Sequence, residues 1–96
     1  MNTPVFNQKD ILEILKEVIL NHNNLGLEYY DIKLTSTLYD LGFDSLDVAG
    51  ISMNLESKLN ITIKDEEVER ILMRKSVEEI MDFLHDRYIK HQKSER

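Results

Sequence analysis

Residues 40–60 read DLGFDSLDVAGISMNLESKLN, and the fold turns on how this stretch is wound. Asp44 is a good helix N-cap, and Asp47 sits three residues later in a capping-box-like position. A helix is therefore expected from near Ser45 to Leu59, with Asn60 as its stop. Both carboxylates also favour the positive end of the helix dipole. At roughly 100° of rotation per residue, Val48, Ile51, Leu55 and Leu59 cluster on one side. Leu46, Ala49, Gly50 and Met53 cluster on nearly the opposite side. The first stripe ends in large aliphatics and is assigned to the core. The second begins beside Ser45 and is flanked by Asp47 and Glu56. An exposed Leu and Met bordered by carboxylates make a docking strip for a basic, partly apolar partner surface. The competing reading buries the helix on both sides, but a short chain has few elements to cover two faces. Gly50 costs about 1 kcal/mol against alanine in mid-helix. Either something approaches its backbone closely, or a side chain would obstruct docking, or the glycine merely tolerates the neighbouring loop.

Outward from this helix the chain reads as all-α: a small bundle of three main helices and one short one. Upstream, Asn7 can cap a helix that places Ile11, Leu15, Val18 and Ile19 on one face, with Lys9, Asp10, Glu13, Lys16 and Glu17 outward. The Asn21-His22-Asn23-Asn24 cluster and Gly26 end it. Residues 23–43 then form a connection of about twenty residues, long for a compact domain. Leu25, Leu27, Tyr29, Tyr30, Ile32, Leu34, Leu38, Tyr39 and Leu41 are spread through it, so it is expected to lie across the helices and supply core. The Thr35-Ser36-Thr37 run can cap a short turn over Leu38–Leu41. Downstream, a short helix fits Asp65–Leu72 with Asp65 as its cap. Ser76 and Glu79 form a capping box before Val77, Ile80, Met81, Leu84 and Tyr88, which share a face. The polar tail from Ile89 is expected to fray. The Ile61-Thr62-Ile63 alternation is strand-like but has no second strand to pair with.

The chain has 96 residues, 12 Lys plus Arg against 18 Asp plus Glu, a formal charge of −6, no cysteine and 42% hydrophobic residues. That length suits one domain over residues 1–96, with a core from about 6 to 88. The absence of cysteine excludes a disulfide framework or thiolate metal site and fits a reducing cytoplasm. An acidic balance argues against nucleic acid. No apolar run approaches the roughly 20 residues of a membrane span, and the start MNTPVFNQKD is not a secretory signal. Residues 44–73 hold three basic and seven acidic side chains, whereas residues 74–96 hold six basic and five acidic. Any basic partner should therefore approach the middle of the chain.

Ser45, at the turn into the central helix, is by default a cap. As a hydrolase nucleophile it is poorly served: the sequence is not G-x-S-x-G, and no strand precedes it. His22, His85 and His91 read as solvated surface residues rather than as a base held by a third group. The acids around 65–69 lack the alternating ligand spacing and glycine of a calcium loop.

Asp40-Leu41-Gly42-Phe43-Asp44-Ser45-Leu46-Asp47 resembles the phosphopantetheine attachment motif of acyl carrier proteins, whose core is D-S-L. The resemblance runs from about Phe6 to Leu84 and includes the long loop, the helix after the serine and the I-x-I-x-D-E-E segment at 61–67. It implies a non-catalytic carrier on which Ser45 receives 4′-phosphopantetheine from coenzyme A through a phosphopantetheinyl transferase. Acyl groups then ride as thioesters on the arm, in fatty-acid, polyketide or related biosynthesis. The missing cysteine fits, because the working thiol belongs to the cofactor. A helix N-terminus offers free N–H groups that suit a phosphodiester, and Asp44 and Asp47 would repel it, so the phosphate is expected to face solvent.

Position by position, the resemblance places Asp44, Leu46, Asp47, Ala49, Met53 and Glu56 in partner recognition, facing acyl-loading and acyl-processing enzymes with basic docking surfaces. Phe43, Ile51, Leu55, Ile63, Val68, Leu72 and Ile80 are candidates to line a shelter for the acyl chain, although their ordinary role is core. Gly50 stands where fatty-acid carriers usually have an acid, Ser57 and Lys58 replace further acids, Lys64 replaces a common proline, and two extra residues lie around Arg74-Lys75. These departures favour a specialised pathway over a housekeeping fatty-acid one. The expectation is a free-standing cytoplasmic monomer. The rivals are an aminoacyl or peptidyl carrier of non-ribosomal synthesis, against which Phe43 and Asp47 count, and a non-catalytic adaptor that binds a protein through the same fold.

Overall fold

The computed structural model describes residues 5–22 and 26–94, with side chains to residue 92. Asn23 and Asn24, expected in the stop of the first helix, Leu25 of the loop, and tail residues 95 and 96 lie outside the described residues. Helix α1 spans Gln8–Asn21, α2 Ser45–Leu59, α3 Asp65–Glu67 and α4 Val77–Ser94. Among the described residues a 3₁₀ turn, Tyr29–Asp31, interrupts the long connection, and a π-helical segment, Val68–Leu72, continues α3. Among the described residues there is no strand, only an isolated bridge between Thr37 and Ser76.

The caps of α1 and α4 form where the sequence placed them. Asn7 Oδ1 accepts from the Asp10 amide at 2.9 Å while Asp10 Oδ2 accepts from the Asn7 amide at 3.0 Å, which satisfies two of the orphan donors at the start of α1. Ser76 and Glu79 exchange the same pair of bonds before α4, at 3.2 and 3.0 Å. Ile11, Leu15, Val18 and Ile19 of α1 are fully buried, as are Val77, Ile80 and Leu84 of α4. Their interlocking faces hold α1 against both α4 and α2. Phe6 and Tyr88 close one end of this core, with ring centroids 5.3 Å apart. The last helix runs on to Ser94, past Ile89 where fraying was expected.

The long connection supplies less core than its apolar content suggested. Ile32, Leu38 and Phe43 are buried, but Tyr29, Tyr30, Leu34 and Tyr39 are exposed. The connection is fastened instead through its backbone: Leu34 and Ser36 carbonyls accept from the Glu78 and Val77 amides at 3.0 and 2.7 Å, which satisfies donors in the first turn of α4. Thr37 Oγ1 accepts from the Asp40 amide at 3.0 Å, so the expected short turn is capped by that threonine.

The strand-like 61–63 stretch finds a partner of another kind. Ile61 and Ile63 turn inward and Thr62 outward. The Ile63 amide donates to the Glu56 side chain at 2.8 Å, and the Ile61 amide to the Glu56 carbonyl at 3.2 Å. Asp65 is not the cap of α3. Lys64 holds that position in extended conformation, and its amide donates to Glu67 Oε1 at 2.9 Å, leaving Asp65 as the first helical residue. After Glu67 the helix widens, and the Met73 amide reaches back to the Val68 carbonyl at 3.0 Å, a five-residue closure. Arg87 of α4 fastens the start of this segment: its guanidinium pairs with both Glu67 oxygens and donates to the Thr62 carbonyl at 2.7 Å. That pairing holds the Glu67 carboxyl down to about 2.

Candidate functional site

Ser45 stands first in α2, and its side chain is released from capping. Asp44 is the cap instead. Its Oδ1 accepts from the Asp47 amide at 2.9 Å, and Asp47 Oδ2 accepts from the Asp44 amide at 3.1 Å. Ser45 is exposed, and among the described residues its hydroxyl has no hydrogen-bond partner. The Ser45 and Leu46 amides, which precede the first intrahelical bond to the Asp44 carbonyl at Val48, also lack partners among these residues. The site therefore offers an accessible hydroxyl beside two free N–H donors, with the Asp44 and Asp47 carboxylates close by.

The hydrolase arrangement is absent for a geometric reason. His22 is half-buried rather than solvated; its Nε2 lies 2.8 Å from Asn54 Nδ2, and its ring rests on Gly50. A Cβ on Gly50 would come within 2.9 Å of His22 Cε1. Gly50 is thus explained by a close approach, although the approaching group is the end of α1 and not the loop or a docked partner. His85 and His91 are likewise half-buried, with His91 Nε2 3.4 Å from Asn60 Nδ2.

From Ser45 a groove of about 290 Å³ runs between α2 and the α3–π segment. One wall is Ser45, Ala49, Ser52, Met53 and Glu56; the other is Ile63, Asp65, Val68, Glu69 and Met73. The α2 wall follows the i, i+4, i+7, i+8, i+11 line of a helical face. Of the candidate partner residues, Leu46 is 82% and Met53 69% exposed, with Ala49 and Asp44 also at the surface. Asp47 and Glu56 are half-buried and committed to internal bonds, to the Asp44 and Ile63 amides respectively. Of the candidate lining residues, only Ile63 and Val68 reach the groove. Phe43, Ile51, Leu55, Leu72 and Ile80 are sealed in the core, none more than 2% exposed. Ser52, Asp65, Glu69 and Met73 were not anticipated as wall residues. The helical line from Ser45 would have found Ser52, whereas the opposite wall depends on how α3 packs.

Residues 10–84 match the family described as phosphopantetheine attachment site, which defines the class as a carrier of a covalent cofactor. The acyl carrier protein of Wolinella succinogenes is 45% identical over 62 residues, covering 64% of this chain and 79% of that protein. The acyl carrier protein of Clostridium acetobutylicum is 33% identical over 75 residues, covering 77% and 91%. The chain belongs to the acyl carrier protein family. It is a carrier and not an enzyme, its cofactor is a covalent 4′-phosphopantetheine, and it works with a phosphopantetheinyl transferase and acyl-processing enzymes. The residues present fit that group, since a free hydroxyl, two unpaired amides and a groove meet at the head of α2. No helix among the described residues is long and apolar enough to cross a membrane.

Proposed function

We propose that Ser45 is the attachment site and that this carrier serves a specialised acyl pathway from the cytoplasm, as a monomer. The observation that carries the site is the Asp44–Asp47 capping box, which leaves Ser45 exposed and without structural work. Ser45 Oγ gives up its proton and forms the phosphodiester, with the nucleotide half of coenzyme A leaving. The arm, once attached, supplies the thiol that this cysteine-free chain lacks. The unbonded Ser45 and Leu46 amides would be available to the phosphate, and Asp44 and Asp47 would turn it outward by repulsion.

Leu46, Ala49 and Met53 form the apolar part of the docking face, because exposed large hydrophobics bordered by carboxylates match a basic, partly apolar surface. Asp47 and Glu56 contribute charge from fixed positions, since each is already held by a backbone amide. The specialised pathway is supported by Gly50, Ser57 and Lys58 on α2, which make the docking helix less acidic than the resemblance to fatty-acid carriers implies.

The test is intact mass after incubation with coenzyme A, Mg²⁺ and a broad-specificity transferase. One arm should be gained by the native chain and none by Ser45→Ala. A gain that survives Ser45→Ala, or no gain at all, overturns the assignment. Loading assays with fatty, polyketide-type and aminoacyl donors then separate the pathways.

A further inference from the structure

The groove that begins at Ser45 has a roomier neighbour. A second cavity of about 450 Å³ lies where the capped turn of the long connection meets the end of the π segment. It is lined by Thr37, Tyr39 and Asp40 on one side and by Glu69, Met73 and Arg74 on the other. Glu69 and Met73 also line the groove that begins at Ser45, so the two spaces are neighbours across those two side chains.

Their electrostatics differ. The groove carries the carboxylates of Glu56, Asp65 and Glu69, and no cation lines it. The neighbouring cavity carries Asp40 and Glu69 but also Arg74, whose Nη2 lies 3.7 Å from Glu69 Oε1. Both members of that pair are about 70% exposed, so the guanidinium is held loosely and can exchange one anionic partner for another at little cost. A phosphodiester at the head of α2 is repelled by Asp44 and Asp47 and attracted by a guanidinium, which presents planar paired donors to phosphate oxygens. The rest of the cavity suits the portion of the arm beyond the phosphate, a run of amides. Asp40 and Tyr39 offer an acceptor and a hydroxyl at its wall, and Tyr39, 71% exposed, adds an aromatic face.

We infer that the cavity between Thr37–Asp40 and Glu69–Arg74 is a resting site for the protein's own phosphopantetheine arm, with Arg74 pairing to its phosphodiester and the arm crossing Met73 rather than entering the acidic groove. This rests on the assignment of Ser45 as the attachment site. Arg74 is a positioning residue here: it aims the arm and takes no part in any bond-making. Released from Arg74, the arm is presented to partner enzymes. The loop and the π segment thus share a function that their sequences do not announce.

The experiment uses the full chain loaded with coenzyme A and the transferase. Intact mass first establishes that the arm is attached; failure at that step, or loading that survives Ser45→Ala, counts against Ser45 separately from any result on the cavity. Loaded and unloaded chains are then compared by ¹⁵N and ³¹P NMR. The expected result is that loading shifts the Thr37, Tyr39 and Asp40 amides and the Arg74 guanidinium. The ³¹P resonance should move with salt in the native chain and lose that dependence in loaded Arg74→Gln. Shifts confined to residues 44–47, or running along Ala49, Ser52 and Val68, overturn the proposal. So does a ³¹P resonance identical in the native and Arg74→Gln chains. Because Arg74 is exposed, the variant folds as the native chain does, and its unloaded spectrum checks this.

Discussion

Replacing Glu67 with glutamine should flatten the acid limb of the stability curve. Glu67 is only 7% exposed, and the hydrogen bond from Arg87 is the largest influence lowering its carboxyl from an ordinary 4.5 to about 2, against an opposing cost of burial. At about 1.4 kcal/mol per factor of ten in proton affinity, that difference has an upper bound of ~3 kcal/mol. Arg87's side chain is 30% exposed, so screening reduces the figure toward ~1–2 kcal/mol. Because the folded value lies below the unfolded one, this stabilisation is fully present above pH 4.5 and is lost as the pH falls toward 2. Glu79, lowered by its bonds to Ser76, titrates in the same direction, so the native curve alone does not isolate Glu67. The assay is urea unfolding of native and Glu67→Gln chains from pH 7 to pH 3. The native chain should be the more stable at pH 7 by about 1–2 kcal/mol, with more than half of that gap gone by about pH 3. A gap that stays constant across the range would refute the reasoning.

Three further outcomes are expected from the packing. Gly50→Ala should destabilise the native chain by displacing His22 from Asn54, yet stabilise a His22→Ala background by about 0.5–1 kcal/mol through helix propensity; thermal melts of the four chains give the coupling, and equal effects in both backgrounds would dissolve the contact's importance. Leu46→Ala and Met53→Ala should each change unfolding free energy by no more than ~0.5 kcal/mol, since both residues are exposed, while lowering kcat/KM for the transferase severalfold. Leu84→Ala, at a fully buried position of α4, should cost about 2–5 kcal/mol in urea unfolding with docking unchanged where the protein remains folded.

What could be read from the sequence was whatever is governed by neighbours along the chain. The caps at Asn7, Asp44 and Ser76 depend on a side chain three residues away, and all three form. The buried stripes of α1, α2 and α4 depend on helical periodicity, and they too appear as read except at Met81 of α4, which is half-buried. Periodicity could not tell which tyrosines of the long connection would be exposed, because that connection is fixed by carbonyls at Leu34 and Ser36 bonding to the head of α4. Nor could it reveal that Glu56 would be drawn inward by the Ile63 amide, or that His22 would lie on Gly50; both are contacts between distant or differently wound segments. The lining set failed to converge for a related reason. Ile51, Leu55 and Leu72 are apolar because they fill the core, and a hydrophobic residue near a site carries the same signature whether it faces a cavity or another side chain.

The fastening of the α3–π segment is one-sided, and that has a dynamic consequence. At Glu67 it is bound to α4 by a guanidinium that also holds the Thr62 carbonyl, whereas at Glu69 and Arg74 it has a single exposed ion pair. One wall of the groove is therefore clasped by charge at its Ile63 edge and held by packing alone, through the buried Leu72, toward Met73. Amide exchange at Ile63 and Lys64 should therefore quicken in Arg87→Gln, while exchange at Met73, whose amide bonds to Val68 within the segment, changes little. Acid would thus slacken one end of this wall and leave the other unchanged.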